Sequence, residues 1–417
     1  MKKASLFKIL KNKNFLKLWG SQIFSQVSAY LLNFVLMVKI YETTGSTTAL
    51  SLFLLVYTAP SIFLGLFAGA FIDHWSKRKV LLFTNLAQSL VVLLYLGAGE
   101  TIWPLYTIVF LYSLCDEFFA PAEAASLPAL VKAETLPVAN SLFLFTNQCS
   151  ILAGSLLGGP LVKYLSPRFP FILAFLFLLA GSCLAYLLPH DHPRQQNNGK
   201  TLEEQLQLLI KDVAESYRFI RKKPRVFYPF LFYIISQMLI GVCIILFPSL
   251  AREVLLIDIK DAGLVVLLPV GIGAILGSIY ITKKIKSWGR KRLISLGWLI
   301  IGVCFLAIAL IAPKICFVSQ FVFLTLLLLG IGGVLVIITS LTMIQENTPE
   351  EIRGRVFGAL STLMIISSYL PIFFLATITD LFGVMITLLL IGMVALLTGI
   401  ISLKVDRNYV LRNSHRT

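Results

Sequence analysis

Charge is what this sequence has least of. Asp, Glu, Lys and Arg make up 13% of its 417 residues, against 58% that are hydrophobic. Soluble domains carry about twice that share of charge, so no ordinary water-facing surface can be built from this chain. Histidine is scarce too, at four residues (His74, His190, His192, His415), all between apolar runs or outside them. Neither HExxH nor GxxxxGK[ST] occurs, which removes the zinc-protease signature and the phosphate loop of an ATP-driven pump. No nucleophile–base pairing stands out, so an enzyme is not expected. The six cysteines contain no CxxC pair. They are expected to act as small buried hydrophobes, not as a disulfide framework or metal ligands.

What the chain does have is apolar length. A helix needs about 20 apolar residues to cross the hydrocarbon, and a helix is the form that satisfies its own backbone there. Twelve such runs are expected, at 15–40, 47–72, 79–97, 102–124, 136–162, 168–188, 227–250, 261–283, 292–312, 317–343, 355–378 and 382–404. The fold class is therefore an all-α polytopic membrane protein. Its predicted organisation is a first six-helix bundle (1–188), a linker with an amphipathic helix (189–226), a second bundle (227–404) and a tail (405–417).

The net charge of +16 does not require nucleic acid, because the cations fall in short clusters between apolar runs and form no continuous basic face. With the N-terminus inside, 30 of the 36 Lys and Arg residues fall on the inner side. The outer loops and rims keep Lys39, Lys163, Arg168, Arg252, Lys260 and Lys314. That asymmetry predicts cytoplasmic termini in a plasma or inner membrane. In the linker, Leu202, Leu206, Leu209, Ile210, Val213, Tyr217 and Ile220 recur at helical spacing opposite charged residues, as in a surface-lying helix. The halves also echo each other. Gly69-x-x-x-Asp73 with Lys77–Lys79 is followed weakly by Gly277 with Gly289–Arg292. "KAETLPVANS" and "TPEEIRGRVFG" both lie between fourth and fifth spans. Duplicated six-span halves are a transporter architecture.

Three stretches carry a resemblance. "GLFAGAFIDHWSKRKVLLF" (65–83) resembles the signature loop of the major facilitator superfamily through Gly69, Asp73, Lys77 and Arg78, with His74 and Ser76 departing from the usual basic residue and glycine. "NFLKLWGSQIFSQVSAYLL", "FFAPAEAASLPALV" and "EEIRGRVFG" are similar to the exporter branch that holds macrolide-efflux and siderophore (enterobactin) exporters. "AGSLLGGPL" resembles the antiporter-type fifth-helix motif at Gly154, Gly158 and Pro160, without the glycine pair that usually follows.

The resemblance implies a cytoplasmic latch in which Gly69 allows close helix approach and Asp73 meets the start of the eleventh helix, near Arg353 and Arg355. The plainer alternative is that Asp73 caps the next helix while Lys77–Lys79 anchor the loop. Asp116 and Glu117 lie in the fourth span, about 5 Å to the cytoplasmic side of its midpoint at about 1.5 Å per residue. Ionisable groups at that depth are costly and mark ion or substrate paths, so the pair are candidates for carrying a proton. The alternatives are a cap at a helix break before Pro121, or a pairing with a basic group at the rim. Glu123 is expected at the interface.

The first span places Gln22, Gln26, Tyr30 and Asn33 on one face within about 80°, and the seventh offers Tyr233, Ser236 and Gln237. The resemblance makes these cavity-lining candidates. Interhelical hydrogen bonding is the other reading. The fourth span lacks an arginine, and Ser28 stands where related exporters often have an acidic residue.

The expected function is export of a lipophilic or amphiphilic small molecule, a multidrug type of efflux, in exchange for protons. A lysophospholipid flippase is the alternative, and a non-transporting membrane sensor a third. A monomer is expected, with a small-molecule substrate, protons and the lipid bilayer as partners, and with no cofactor, metal or nucleic acid.

Overall fold

In the computed structural model, the described residues are 8–73, 75–99, 101–132, 134–191, 217–284, 289–311, 318–349, 356 and 371–413. Among them the chain is helical throughout and contains no strand. The first six helices are α1 (Lys13–Thr44), α2 (Thr47–Asp73), α3 (Lys77–Leu94), α4 (Ile102–Leu130), α5 (Leu136–Pro160) and α6 (Phe169–Tyr186). The next six are α7 (Pro224–Ser249), α8 (Leu268–Lys284), α9 (Arg290–Ile311), α10 (Val318–Asn347), α11 (Pro371–Phe382) and α12 (Val384–Asn413).

Ten helices among the described residues are long and apolar enough to cross a membrane. The third falls short because three cations open it and Asn85, Gln88 and Ser89 interrupt its apolar run. The eleventh is described only from Pro371 onward, apart from Val356. Most of the predicted amphipathic linker helix lies outside the described residues. Its end, 217–222, is helical, and Ile220 is buried against Val226, Phe230 and Ile344. The cysteines divide: Cys304 is buried as expected, whereas Cys149 and Cys183 are exposed on helix faces. An apolar environment suits a thiol from either side, because the surface of a membrane helix meets lipid rather than water.

The chain forms two compact units, one of residues Met1–Asn197 with Ile259–Leu264, the other of Asn198–Asp258 with Val265–Thr417. Inside the first, α3 packs between α4 and α6, α2 packs on α4, and α1 packs on α5 and α6. Inside the second, α9 packs between α10 and α12, and α8 packs on α10. The pairings 3–4, 3–6 and 2–4 thus recur as 9–10, 9–12 and 8–10, which is the sequence echo in three dimensions. In the first unit Lys163 meets Asp261 at 2.5 Å and Lys260 meets Glu42 at 3.0 Å. These pairs are partly exposed and worth little individually.

Small residues set the closest crossings, as expected where helices associate through packing instead of water exclusion. A Cβ on Gly154 of α5 would stand 2.6 Å from the backbone of Tyr30 and Leu31 in α1. One on Gly158 would stand 2.5 Å from the Phe34 ring, a side chain that can turn away. In the second unit Gly273 and Gly277 of α8 face the backbone of Leu327 and Ile331 in α10, and Gly330 of α10 faces Val270 in return.

Polar groups fix the helix ends. The Asn12 side chain caps α1 by accepting from the N–H groups of Asn14 (3.0 Å) and Phe15 (3.2 Å), and its amide donates to the Leu130 carbonyl at 2.8 Å. That joins the start of α1 to the end of α4. The start of α3 is held by Asp191, which follows α6. Its carboxylate accepts from the Ser76 hydroxyl at 2.6 Å and from the N–H groups of Lys77 (2.5 Å) and Arg78 (3.3 Å). The Arg78 guanidinium donates to the Tyr186 carbonyl at 2.5 Å and lies over the Tyr186 ring. A carboxylate at a helix N-terminus meets the orphan N–H groups and the positive end of the helix dipole together. Partial burial opposes ionisation of Asp191, but these hydrogen bonds, with one from its own backbone, outweigh it and hold the carboxyl below the ordinary carboxylate range. A carboxyl depressed by folding stabilises above its unfolded value, about 3.9. That stabilisation is lost only as pH falls through the folded value.

Two outcomes follow from these contacts. Gly154→Ala lowers the thermal midpoint in detergent more than Gly158→Ala, because a backbone cannot yield as a ring can; the overpacking cost expected for the former is about 1–3 kcal/mol. Equal midpoints for the two variants would contradict the crossing described. Asp191→Ala costs about 0.5–2 kcal/mol, the range for a lost helix cap, and the loss stays constant from pH 5 to pH 8. A deficit that vanished at the acid end of that range would show that the carboxylate is not the cap.

Candidate functional site in the first unit

The first unit encloses a line of polar side chains within otherwise apolar helices. Asp116 and Glu117 sit mid-way along α4, both half-buried. As neighbours on a helix they point about 100° apart, and each turns to a different helix. Asp116 accepts from the Gln88 amide of α3 at 3.4 Å. Glu117 accepts from the Ser61 hydroxyl of α2. One turn before Ser61, the Tyr57 carbonyl accepts from the Ser113 hydroxyl of α4, and the Tyr57 hydroxyl faces Asp116 and Asn33. Neither carboxylate marks a break in the helix, since α4 runs through Pro121 and Pro128 to Leu130.

That continuation leaves Glu123 seven residues before the end of the helix. The sequence places it at the interface, on a span ending at 124, but the helix extends six residues further. Glu123 is 8% exposed, and one of its carboxylate oxygens has no hydrogen-bond partner. It lies seven residues from Asp116, two turns along the same face.

On α3, Asn85, Gln88 and Ser89 are each 0% exposed. The Asn85 amide donates to the Ser21 hydroxyl at 3.2 Å, and Ser21 donates to the Gly181 carbonyl at 3.0 Å, joining α3, α1 and α6. None of these residues is among the candidates read from the sequence. The signal was there: three polar residues at i, i+3 and i+4 in the third apolar run share one helix face.

The polar row of α1 divides. Gln22 is buried and donates to the Phe143 carbonyl at 3.4 Å. The Asn147 amide donates to Gln26 at 3.2 Å, and the Tyr30 hydroxyl donates to Asn147 at 3.4 Å. These three residues join α1 to α5. Asn33 turns the other way and lines a cavity of about 10 Å³ with Leu32, Leu36, Tyr57, Tyr95, Val109 and Tyr112. The residues expected to share one surface therefore serve two.

In the second unit Tyr233 packs half-buried against the cluster of Phe230, Ile234 and Ile344, and Gln237 is half-buried one turn on. Ser236 is buried and donates to its own helix at the Tyr233 carbonyl, 2.7 Å. Of the latch candidates, Gly69 and Asp73 belong to the last turns of α2, although the Asp73 side chain lies outside what the structure describes. Lys77 and Arg78 begin α3 in the Asp191 cap. Arg353 and Arg355 lie outside the described residues. Pro160 is the last residue of α5, before a five-residue π turn. Among the described residues, no three His, Cys, Asp or Glu side chains gather as a metal site would need.

Comparison with known proteins places this geometry. The family model of the Major Facilitator Superfamily matches residues 18–370. An uncharacterized MFS-type transporter of Bacillus subtilis, YfiS, is 23% identical over 97% of this chain and 97% of its own. The enterobactin exporter EntS of Escherichia coli O1:K1 / APEC is 27% identical over 81% of this chain and 78% of its own. The crystal structure of the nucleoside transporter NupG superposes with a TM-score of 0.74 at 11% identity, covering 94% of this chain and 98% of that one. With the family model spanning most of its length, the chain belongs to the major facilitator superfamily of multi-pass membrane transporters.

Proposed function

We propose that the protein exports a lipophilic or amphiphilic small molecule across the cell membrane by alternating access, in exchange for protons, with both termini in the cytoplasm. The observation that carries the coupling is the Asp116–Glu117 pair, held by Gln88 and Ser61 within an apolar helix set. A carboxylate there is expensive to keep and contributes no ion pair among the described residues, where the salt bridges lie at helix ends. A group kept at such cost without a structural counter-charge is suited to take up and release a proton. Similarity to EntS, an exporter, supports the outward direction.

In this reading Gln22, Gln26, Tyr30, Tyr233 and Gln237 are substrate-cavity residues, while Asn33 belongs to the separate small cavity. Asp73, Lys77 and Arg78, with Arg353 and Arg355, act as the cytoplasmic latch, whose contacts exist in one state only and so bias the equilibrium between states.

Purified protein in liposomes, tested with a panel of amphiphiles, provides the check. A pH gradient drives accumulation of a substrate by the wild type. Asp116→Asn drops that accumulation to the level of protein-free liposomes while counterflow without a gradient persists. Lipid movement indifferent to the gradient would replace antiport by a lysophospholipid flippase, and full coupling in the Asp116→Asn variant would remove the carboxylate from the mechanism. For the latch, Asp73→Asn inserts into membranes normally but transports poorly; wild-type flux from that variant would end the latch reading.

A further inference from the structure

The small cavity beside Asn33 is lined by four polar side chains in an otherwise apolar setting, Asn33 of α1, Tyr57 of α2, Tyr95 beyond the end of α3, and Tyr112 of α4. Its volume, about 10 Å³, accommodates the centre of one water molecule and no organic ligand. The Tyr112 hydroxyl is buried, with the residue 3% exposed, and has no hydrogen-bond partner. A buried hydroxyl left without a partner costs about 1–3 kcal/mol, and a bound water is the usual way such a group is satisfied. We infer that this cavity is a binding site for a single water molecule, held by the Tyr112 hydroxyl with Asn33, Tyr57 and Tyr95, and that this water passes protons to and from Asp116.

Placement supports the second half of that inference. Tyr112 lies four residues before Asp116 on α4, one turn away on the same face. Tyr57 lines the cavity, and its hydroxyl lies beside Asp116. Water, Tyr57 and Asp116 therefore form a short series of groups that can each donate and accept, leading on to Gln88. The cavity lies on the side of Asp116 toward the N-terminal end of α4. In the orientation proposed above, that is the extracellular side, from which an exporter driven by the proton gradient must draw its protons. The relay makes and breaks only O–H bonds. Water donates one proton toward the carboxylate through the Tyr57 hydroxyl and regains one from the outer side, so no charge is left in the cavity. Tyr112 is a positioning residue in this scheme: it holds the water and does not touch the transported molecule.

The inference rests on Asp116 being the coupling carboxylate, and the test separates the two claims. Tyr112→Phe keeps the ring and removes the oxygen. A high-resolution map of the wild type should show one water within hydrogen-bond distance of the Tyr112 oxygen, and the variant's map should lack it. In liposomes the variant should retain gradient-free counterflow, which reports that it is folded, while gradient-driven transport slows by about fivefold or more, the loss of occupancy expected with one hydrogen bond. Tyr57→Phe should slow it similarly. A dry cavity in the wild-type map overturns the site. Unchanged gradient-driven transport in both variants overturns the relay. If Asp116→Asn keeps full coupling, the antiport reading fails first; if Asp116→Asn uncouples and neither tyrosine variant does, only the present inference fails.

Discussion

The structure depends on one constraint: in hydrocarbon no water is available to take up a polar group. Backbone groups must pair within each helix, which explains why the described residues are helical from end to end. The same constraint makes every polar side chain in a span informative. Ser21, Asn85, Gln88 and Ser89 are all fully or nearly fully enclosed, and each could be replaced by an apolar residue if packing were the only need. Asn85 bonds Ser21, and Gln88 bonds Asp116, so the first unit combines an apolar periphery with a polar interior seam.

Packing answers the same constraint by other means. Without a hydrophobic drive between helices, close contact relies on small residues and surface fit. Gly154 lets α5 lie on the backbone of α1, beside Tyr30, whose hydroxyl joins the Asn147–Gln26 chain. The crossing that brings the two helices together therefore also aligns the hydrogen bonds between them. The second unit uses glycines in the α8–α10 contact but, among the described residues, has fewer buried amides and no buried carboxylate. The two repeats share a pairing scheme while differing in what fills their interiors.

Much of the architecture was legible in the sequence because the span signal is additive: twenty apolar residues in a row need no tertiary context to be read. Gly154 and Gly158 were marked by the resemblance of their stretch to a family motif, and their contacts with Tyr30, Leu31 and Phe34 came only with the structure. Side-chain partnerships were not, since they depend on helix rotation and on neighbours far along the chain. Gln22, Gln26, Tyr30 and Asn33 do share a sector of α1, but a sector of about 80° is wide enough to meet α5 on one edge and α2 with α4 on the other. The burial of Glu123 was not foreseen because the fourth run was ended at 124, whereas the helix continues to Leu130. The roles of Asn85 and Gln88 were not legible because their partners, Ser21 and Asp116, lie on other helices. The link from Asp191 to residues 76–78 could not be foreseen, as it joins positions more than a hundred residues apart.

That last contact alters where the first half of the molecule ends. By hydropathy its final helix is over by Leu188, and a designer dividing the polypeptide into separately expressed halves, or inserting a fluorescent reporter, would cut there. The carboxylate that secures the opening of α3 lies three positions later. A break before it would leave the fragment complete in helices yet without the cap on the third, whereas a break after it would keep that cap.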